Sequence, residues 1–382
     1  MMNHKERVLT AINHAEPDRV PLDLMSTGTG LTDPTYKNLL SYLGLPDCVK
    51  PYKRYSNVNY YNERILEYYD IDFRSVWIDS PKKSNKIKVI NNGEYVINEW
   101  GITFKYSKNI YDYSAYDTPL KNATIDEIES YEWPDPNDEG RYIYLEERAK
   151  RIYEKGEHAI IAKDPFSGWL FEYGCWLRGY QQFCEDLMLN EELVRILLEK
   201  IYNVIFRIME RYSKILGKYV DIFVIVGDYA HKDGLIISPN IFKKYFKEPL
   251  RKEIEMIKSN APNAKVMQHC CGAVYDLIPD FIDIGIDILN PIQPGVFNMD
   301  FIKLKKEFGY KLVFHGGIDV QKTLPFGTIE DIKNEVMDRF RVLAINGGYI
   351  MAPANHIQHD VSPEKIDTLY KFARGFGKYP IK

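Results

Sequence analysis

His269 and Cys271 stand two residues apart in the stretch VMQHCCG at 266–272, at the end of an apolar, strand-like run. Side chains at i and i+2 of a strand share one face. An imidazole and a thiolate therefore aim at one point, and that donor pair suits a soft divalent metal such as zinc. His356, in a second strand-end loop, PANHIQHD at 353–360, is the candidate third ligand. A buried Cys pair beside a hydrogen-bonded His would give the same letters. The elements around the motif decide between the two readings.

Those elements alternate. Apolar runs at 20–24, 73–79, 158–163, 221–226, 264–269, 286–290, 311–315 and 348–352 read as eight strands. Helical patterns separate the later ones at 141–155, 168–216, 239–259, 273–284, 298–308 and 328–345, and a last helix covers 362–376. A further helix is expected at 3–14, capped by Asn3, with others at 34–43 and 59–69. The later strands are continuous apolar runs, as expected of a parallel sheet buried on both faces. Residues 86–107 instead alternate polar and apolar around Asn-Gly and Trp-Gly breaks, which predicts a β-hairpin or meander inserted into the pattern. Residues 108–140, rich in Asp, Pro and Tyr, read as a surface segment. No glycine-rich dinucleotide or P-loop motif follows any strand. One (β/α)8 TIM-barrel domain over 1–382 is the expectation.

In such a barrel, chemistry gathers at the carboxyl ends of the strands. The polar residues there are Asp79, Asp164, Asp228, His269, Cys271, Asn290, His315 and His356, and the three histidines come from three different strands. Cys270 should face away from Cys271 and pack. The aromatic group Trp169, Phe171, Tyr173 and Trp176 reads as core between barrel and helix. Net charge is −4, so no basic field draws in nucleic acid. Five cysteines without framework spacing point to a reducing cytoplasm. There is no signal-peptide pattern and no run of about 18 apolar residues, so no membrane association is expected.

Several segments carry a family resemblance. Residues 266–297, 312–319 (LVFHGGID) and 347–364 (GGYIMAPANHIQHDVSPE) resemble the uroporphyrinogen decarboxylase superfamily, as do 5–23 and 227–239. The resemblance implies a (β/α)8 barrel and two branches of function. One is the metal-free decarboxylation of uroporphyrinogen. The other is zinc-dependent transfer of a methyl group between a corrinoid protein and a thiol or other small acceptor. The methyltransferase branch uses H-x-C plus a later Cys as ligands. His269 and Cys271 match the first part, and His356 falls near the place of the missing Cys. The decarboxylase branch carries an Arg-rich motif after the first strand. Residues 22–34 (LDLMSTGTGLTDP) contain no Arg, and a substrate with eight carboxylates needs a cationic cradle.

The resemblance thus favours a methyltransferase with zinc at His269, Cys271 and His356. Asp228 and His315 would orient ligands or substrate, and Asp79 falls where the decarboxylase branch has its catalytic Asp. Asn290 would hydrogen-bond substrate, and Gly316-Gly317 would let a large planar ligand approach closely. The chain lacks the Asp-x-His-x-x-Gly motif of corrinoid-binding domains, so a separate corrinoid protein would supply that cofactor. The family's decarboxylases pair through their barrel mouths, so a homodimer is also an expectation. The rival readings are tetrapyrrole decarboxylation and non-catalytic tetrapyrrole or corrinoid binding.

Overall fold

A computed structural model of the protein describes residues 2–53, 56–108 and 112–381. Seven apolar runs form one parallel sheet whose strand order follows the chain: Phe73–Val76, Ala159–Ala162, Ile222–Val226, Lys265–His269, Ile288–Ile292, Val313–Ile318 and Tyr349–Pro353. Nearly all their residues are buried, which is why they read as unbroken apolar stretches. The expected first strand is a single-bridge stave, because Pro21 has no N–H to offer a ladder. Leu22 bridges Met351 in parallel. Met351 N–H donates to Pro21 O (3.0 Å), Asp23 N–H to Met351 O (2.9 Å), and Asp72 N–H to Leu22 O (3.1 Å). The segment 20–24 thus lies between the first and last strands of the sheet, and the sheet curls as a (β/α)8 barrel must.

Inside the barrel, Phe73, Ala159, Ile161, Ile222, Val224, Met267, Ile288, Val313 and Ile350 pack into one cluster. Val8 and Ile12 of the helix His4–Ile12 join it from below. The strand period of two then fixes the next layer. Two residues beyond these core positions come Ser75, Lys163, Val226, His269, Asn290, His315 and Ala352. An apolar plug is therefore capped by an inward-facing layer that is mostly polar, at the carboxyl end of the strands.

The predicted insertion is larger than the sequence shows. It is a four-stranded antiparallel meander of Lys88–Ile90, Tyr95–Ile97, Thr103–Ser107 and Asp112–Asp117. The last strand, DYSAYD, was hidden by its Asp residues, which strands usually avoid. The expected helix at 168–216 is three helices, Leu170–Arg178, Tyr180–Leu189 and Glu191–Leu216. The first break falls at Gly179, whose φ of 90° no other residue adopts cheaply. Among the described residues no helix is long and apolar enough to cross a membrane.

Candidate metal centre

His269 ends its strand and Cys271 follows in the turn, and their donor atoms Nε2 and Sγ lie 3.5 Å apart. Two ligands of one tetrahedral zinc, at ordinary Zn–N and Zn–S lengths, would stand about 3.6 Å apart. The Asp228 carboxylate completes a group of three whose donor atoms all lie within 4.8 Å of one another. Its Oδ1 also accepts Cys271 N–H at 2.6 Å, which ties the turn after one strand to the turn after its neighbour.

A hydrogen-bond chain fixes the tautomer of His269. It starts at the wholly buried Asp23 carboxylate, which can only accept. His315 Nε2–H therefore donates to Asp23 Oδ2 at 3.0 Å. His315 Nδ1 then accepts from Asn290 Nδ2 at 2.6 Å. That orientation turns Asn290 Oδ1 towards His269, whose Nδ1–H donates to it at 2.5 Å. The remaining nitrogen of His269, Nε2, keeps its lone pair and faces Cys271. Ser26 and Thr29 hydroxyls add to the hold on Asp23 Oδ2.

The electrostatics of the group favour a cation. Burial pushes the Cys271 thiol well above its ordinary value, and Asp228 and Glu172 push it further. Burial and then Asp228 raise Glu172 to about 7. Glu172 accepts N–H groups from Asp228 and Trp169. Among the described residues no Lys or Arg forms an ion pair with Asp228 or Glu172. A partly buried set of acid, thiol and lone-pair imidazole, with no paired Lys or Arg among the described residues, fits a divalent metal.

His356 stands outside this group. Its Nδ1 accepts Gly30 N–H at 2.9 Å. Burial and then the nearby His269 lower it to about 3, so the ring is neutral and its single proton sits on Nε2. In that tautomer Nδ1 accepts from the loop and Nε2 is a donor. Asp228, expected to orient ligands, is the third member of the converging group.

Three other expectations find different surroundings. The Asn290 amide bridges the two histidines, using one donor of its nitrogen and one lone pair of its oxygen. Gly316 and Gly317 have φ of 111° and 91° and lie buried in the barrel wall. A Cβ on Gly316 would meet Pro291 Cβ at 3.3 Å, and one on Gly317 would meet Tyr349 Oη at 3.2 Å. Both positions are closely packed and have the left-handed backbone that glycine favours. Asp79 pairs with Arg148 at 2.9 Å and is not part of the group of Asp228, His269 and Cys271.

Two expectations about packing are met in the described residues. Cys270 is buried, and its sulfur accepts Tyr229 N–H. Trp169, Phe171 and Tyr173 are core, and the half-buried Trp176 packs against it. Asp164 is half-buried and accepts the N–H groups of Phe166, Ser167 and Val226. Sequence reasoning passed over Asp23, Glu172 and Lys163. Asp23 and Lys163 could have been found as polar residues closing an apolar strand; Glu172 lies on a helix and carries no such signal.

A family model described as Uroporphyrinogen decarboxylase (URO-D) matches residues 96–376. Among solved structures, a methyltransferase from Methanosarcina mazei aligns over 98% of this chain and 99% of its own, at 18% identity and a TM-score of 0.66. Xylanase 10B from Thermotoga maritima aligns over 66% of this chain and 85% of its own, at 12% identity and a TM-score of 0.40. No curated protein sequence matches. The first structure supports the fold alone, and the second carries no argument. The family match runs through most of the barrel and includes Asp228, His269, Cys271, Asn290, His315 and His356, and the chain therefore belongs to the uroporphyrinogen decarboxylase (URO-D) family.

Proposed function

We propose that the protein is a zinc-dependent methyltransferase that moves a methyl group between a corrinoid carried by a partner protein and a small thiol or similar acceptor. The observation that carries this reading is the group of His269 Nε2, Cys271 Sγ and the Asp228 carboxylate, converging with no paired Lys or Arg among the described residues. His269, Cys271 and Asp228 would hold the metal, which leaves one tetrahedral position for substrate. When bound, zinc would supply the positive charge that keeps a substrate thiol as its thiolate, the nucleophilic form.

The protein's own residues do the rest. Asp23, His315 and Asn290 hold the His269 ring in the tautomer and orientation that a ligand needs. Asp228 uses one oxygen to place the Cys271 backbone and keeps the other for the metal. His356 presents an Nε2–H donor, which suits a hydrogen bond to the substrate. The loop at 25–30 closes over the histidines: a Cβ on Gly28 would come within 2.7 Å of His269 Cε1. Tetrapyrrole decarboxylation is the weaker reading, because residues 22–34 contain no Arg to grip the carboxylates.

The test uses free methylcobalamin as donor and a panel of small thiols, with demethylation followed by absorbance. Demethylation that needs both thiol and zinc, and that falls by about 10³-fold or more in Cys271→Ala, is the expected result. Demethylation at the same rate in parent and Cys271→Ala would overturn the reading. So would uroporphyrinogen decarboxylation by metal-free protein.

A further inference from the structure

Lys163 is the odd member of the inward-facing layer. It follows Ile161 on the same face of its strand, so it points into the barrel at the level of His269, Asn290 and His315. Only 8% of its surface is exposed. Among the described residues no carboxylate lies within ion-pair distance of it. Its ammonium sits instead among three rings, 4.7 Å from the Tyr52 centroid, 5.2 Å from Tyr61 and 5.8 Å from Trp77. Among the described residues its ammonium makes one hydrogen bond, to the Tyr52 hydroxyl, at 3.3 Å. Two of its three N–H donors find no partner among those residues.

A buried cation without a counter-ion is costly, and the rings offset only part of that cost. Burial lowers Lys163 to about 7, with Asp23 the one group that opposes the fall. Lys53, also without a carboxylate partner among the described residues, lies 6.0 Å from the centroid of the same Tyr52 ring. Both lysines act electrostatically on His356, which also feels His269. Lys163 and His269 belong to one inward-facing layer, two strands apart in the sheet.

We propose that Lys163, with the Tyr52 hydroxyl, anchors a carboxylate on the small substrate whose reacting end lies at the metal group. One buried ammonium and one phenol hydroxyl match a monoanion; a phosphate dianion would leave a second charge unpaired. Tyr61 and Trp77 form an apolar wall beside the anchor. The proposal rests on the reading of the barrel mouth as a methyl-transfer site, and it narrows the acceptor to small thiols that also carry a carboxylate.

The test is calorimetric titration of parent, Lys163→Met and Lys163→Arg with two ligand pairs. The first pair, 3-mercaptopropionate and 2-mercaptoethanol, is run on zinc-loaded and on metal-free protein. The second, propionate and propionamide, is run on metal-free protein. In the parent each charged ligand should bind roughly tenfold more tightly than its neutral partner, the size of one charge-assisted hydrogen bond. Lys163→Met should abolish both preferences while keeping its zinc content, which also shows that it folds. Lys163→Arg should retain part of each. Equal binding of charged and neutral ligands in the parent, or a preference that survives Lys163→Met, would overturn the anchor. Failure of the metal reading looks different: both thiols would then bind no better with zinc than without it, while the propionate preference still depended on Lys163.

Discussion

Asn290 sits between two histidines whose tautomers it makes complementary. Its amide nitrogen donates to His315 and its amide oxygen accepts from His269, so the proton positions run in one direction from Asp23 to the metal-facing nitrogen. Asn290→Ala removes the relay and leaves all three candidate ligands in place. Zinc affinity, measured in competition with a chromophoric chelator, should fall about 10- to 100-fold, as it does when other partners of ligating histidines are lost. An unchanged affinity would mean that the relay does not position the ligand. At this scale the sequence was partly legible. H-x-C at a strand end could be read from the two-residue period alone. The role of His356 could not, because it depends on which ring nitrogen meets Gly30 N–H, a contact across 326 residues. Asn290 stands out by its place at a strand end but its two histidine partners do not, since a lone Asn there looks the same whether it faces substrate or a second histidine.

The stave at 20–24 has little ladder of its own, so side chains must hold it. Asp72 does much of this at the edge of the neighbouring strand. It is fully buried, accepts Leu22 N–H at 2.7 Å, and pairs with Arg7 and Arg19 at 2.7 Å each. Burial alone would raise its carboxyl, but His4, Arg19 and Arg7 outweigh that and hold it below its ordinary 3.8. Asp72→Asn should cost about 3–5 kcal/mol in urea unfolding at neutral pH, because it strands buried charge. The sign with pH follows from the lowered value: the parent's advantage is full above 3.8 and is lost as pH falls through the folded value. The gap between parent and variant should therefore close in acid, and a gap that held constant there would contradict this role. The other strands needed no such support and were the most legible elements, since buried parallel strands are short apolar runs. The stave itself was legible as VPLDL but not its weakness as a strand. The meander's last strand was missed because Asp residues mask its alternating tyrosines, and the helix breaks at Gly179 and Asn190 because the apolar pattern continues across them.

At the scale of the whole molecule, eight β/α units bring residues from distant parts of the chain to one mouth. Asp23, Lys163, Asp228, His269, Asn290, His315 and His356 each come from the end of a different stave or the loop beyond it. That convergence was foreseeable from the barrel rule. That Asp228 and not His356 joins the converging group was not, because it turns on distances between separate loops. The measurement that tests the account most directly is the zinc content of the purified protein by elemental analysis, in parent, Cys271→Ala, Asp228→Ala and His356→Ala. The account predicts about one zinc per chain in the parent and in His356→Ala, and its loss in Cys271→Ala and Asp228→Ala. Zinc retained in Asp228→Ala and lost in His356→Ala would contradict the ligand set. No zinc in the parent, even after reconstitution, would contradict the metal centre itself.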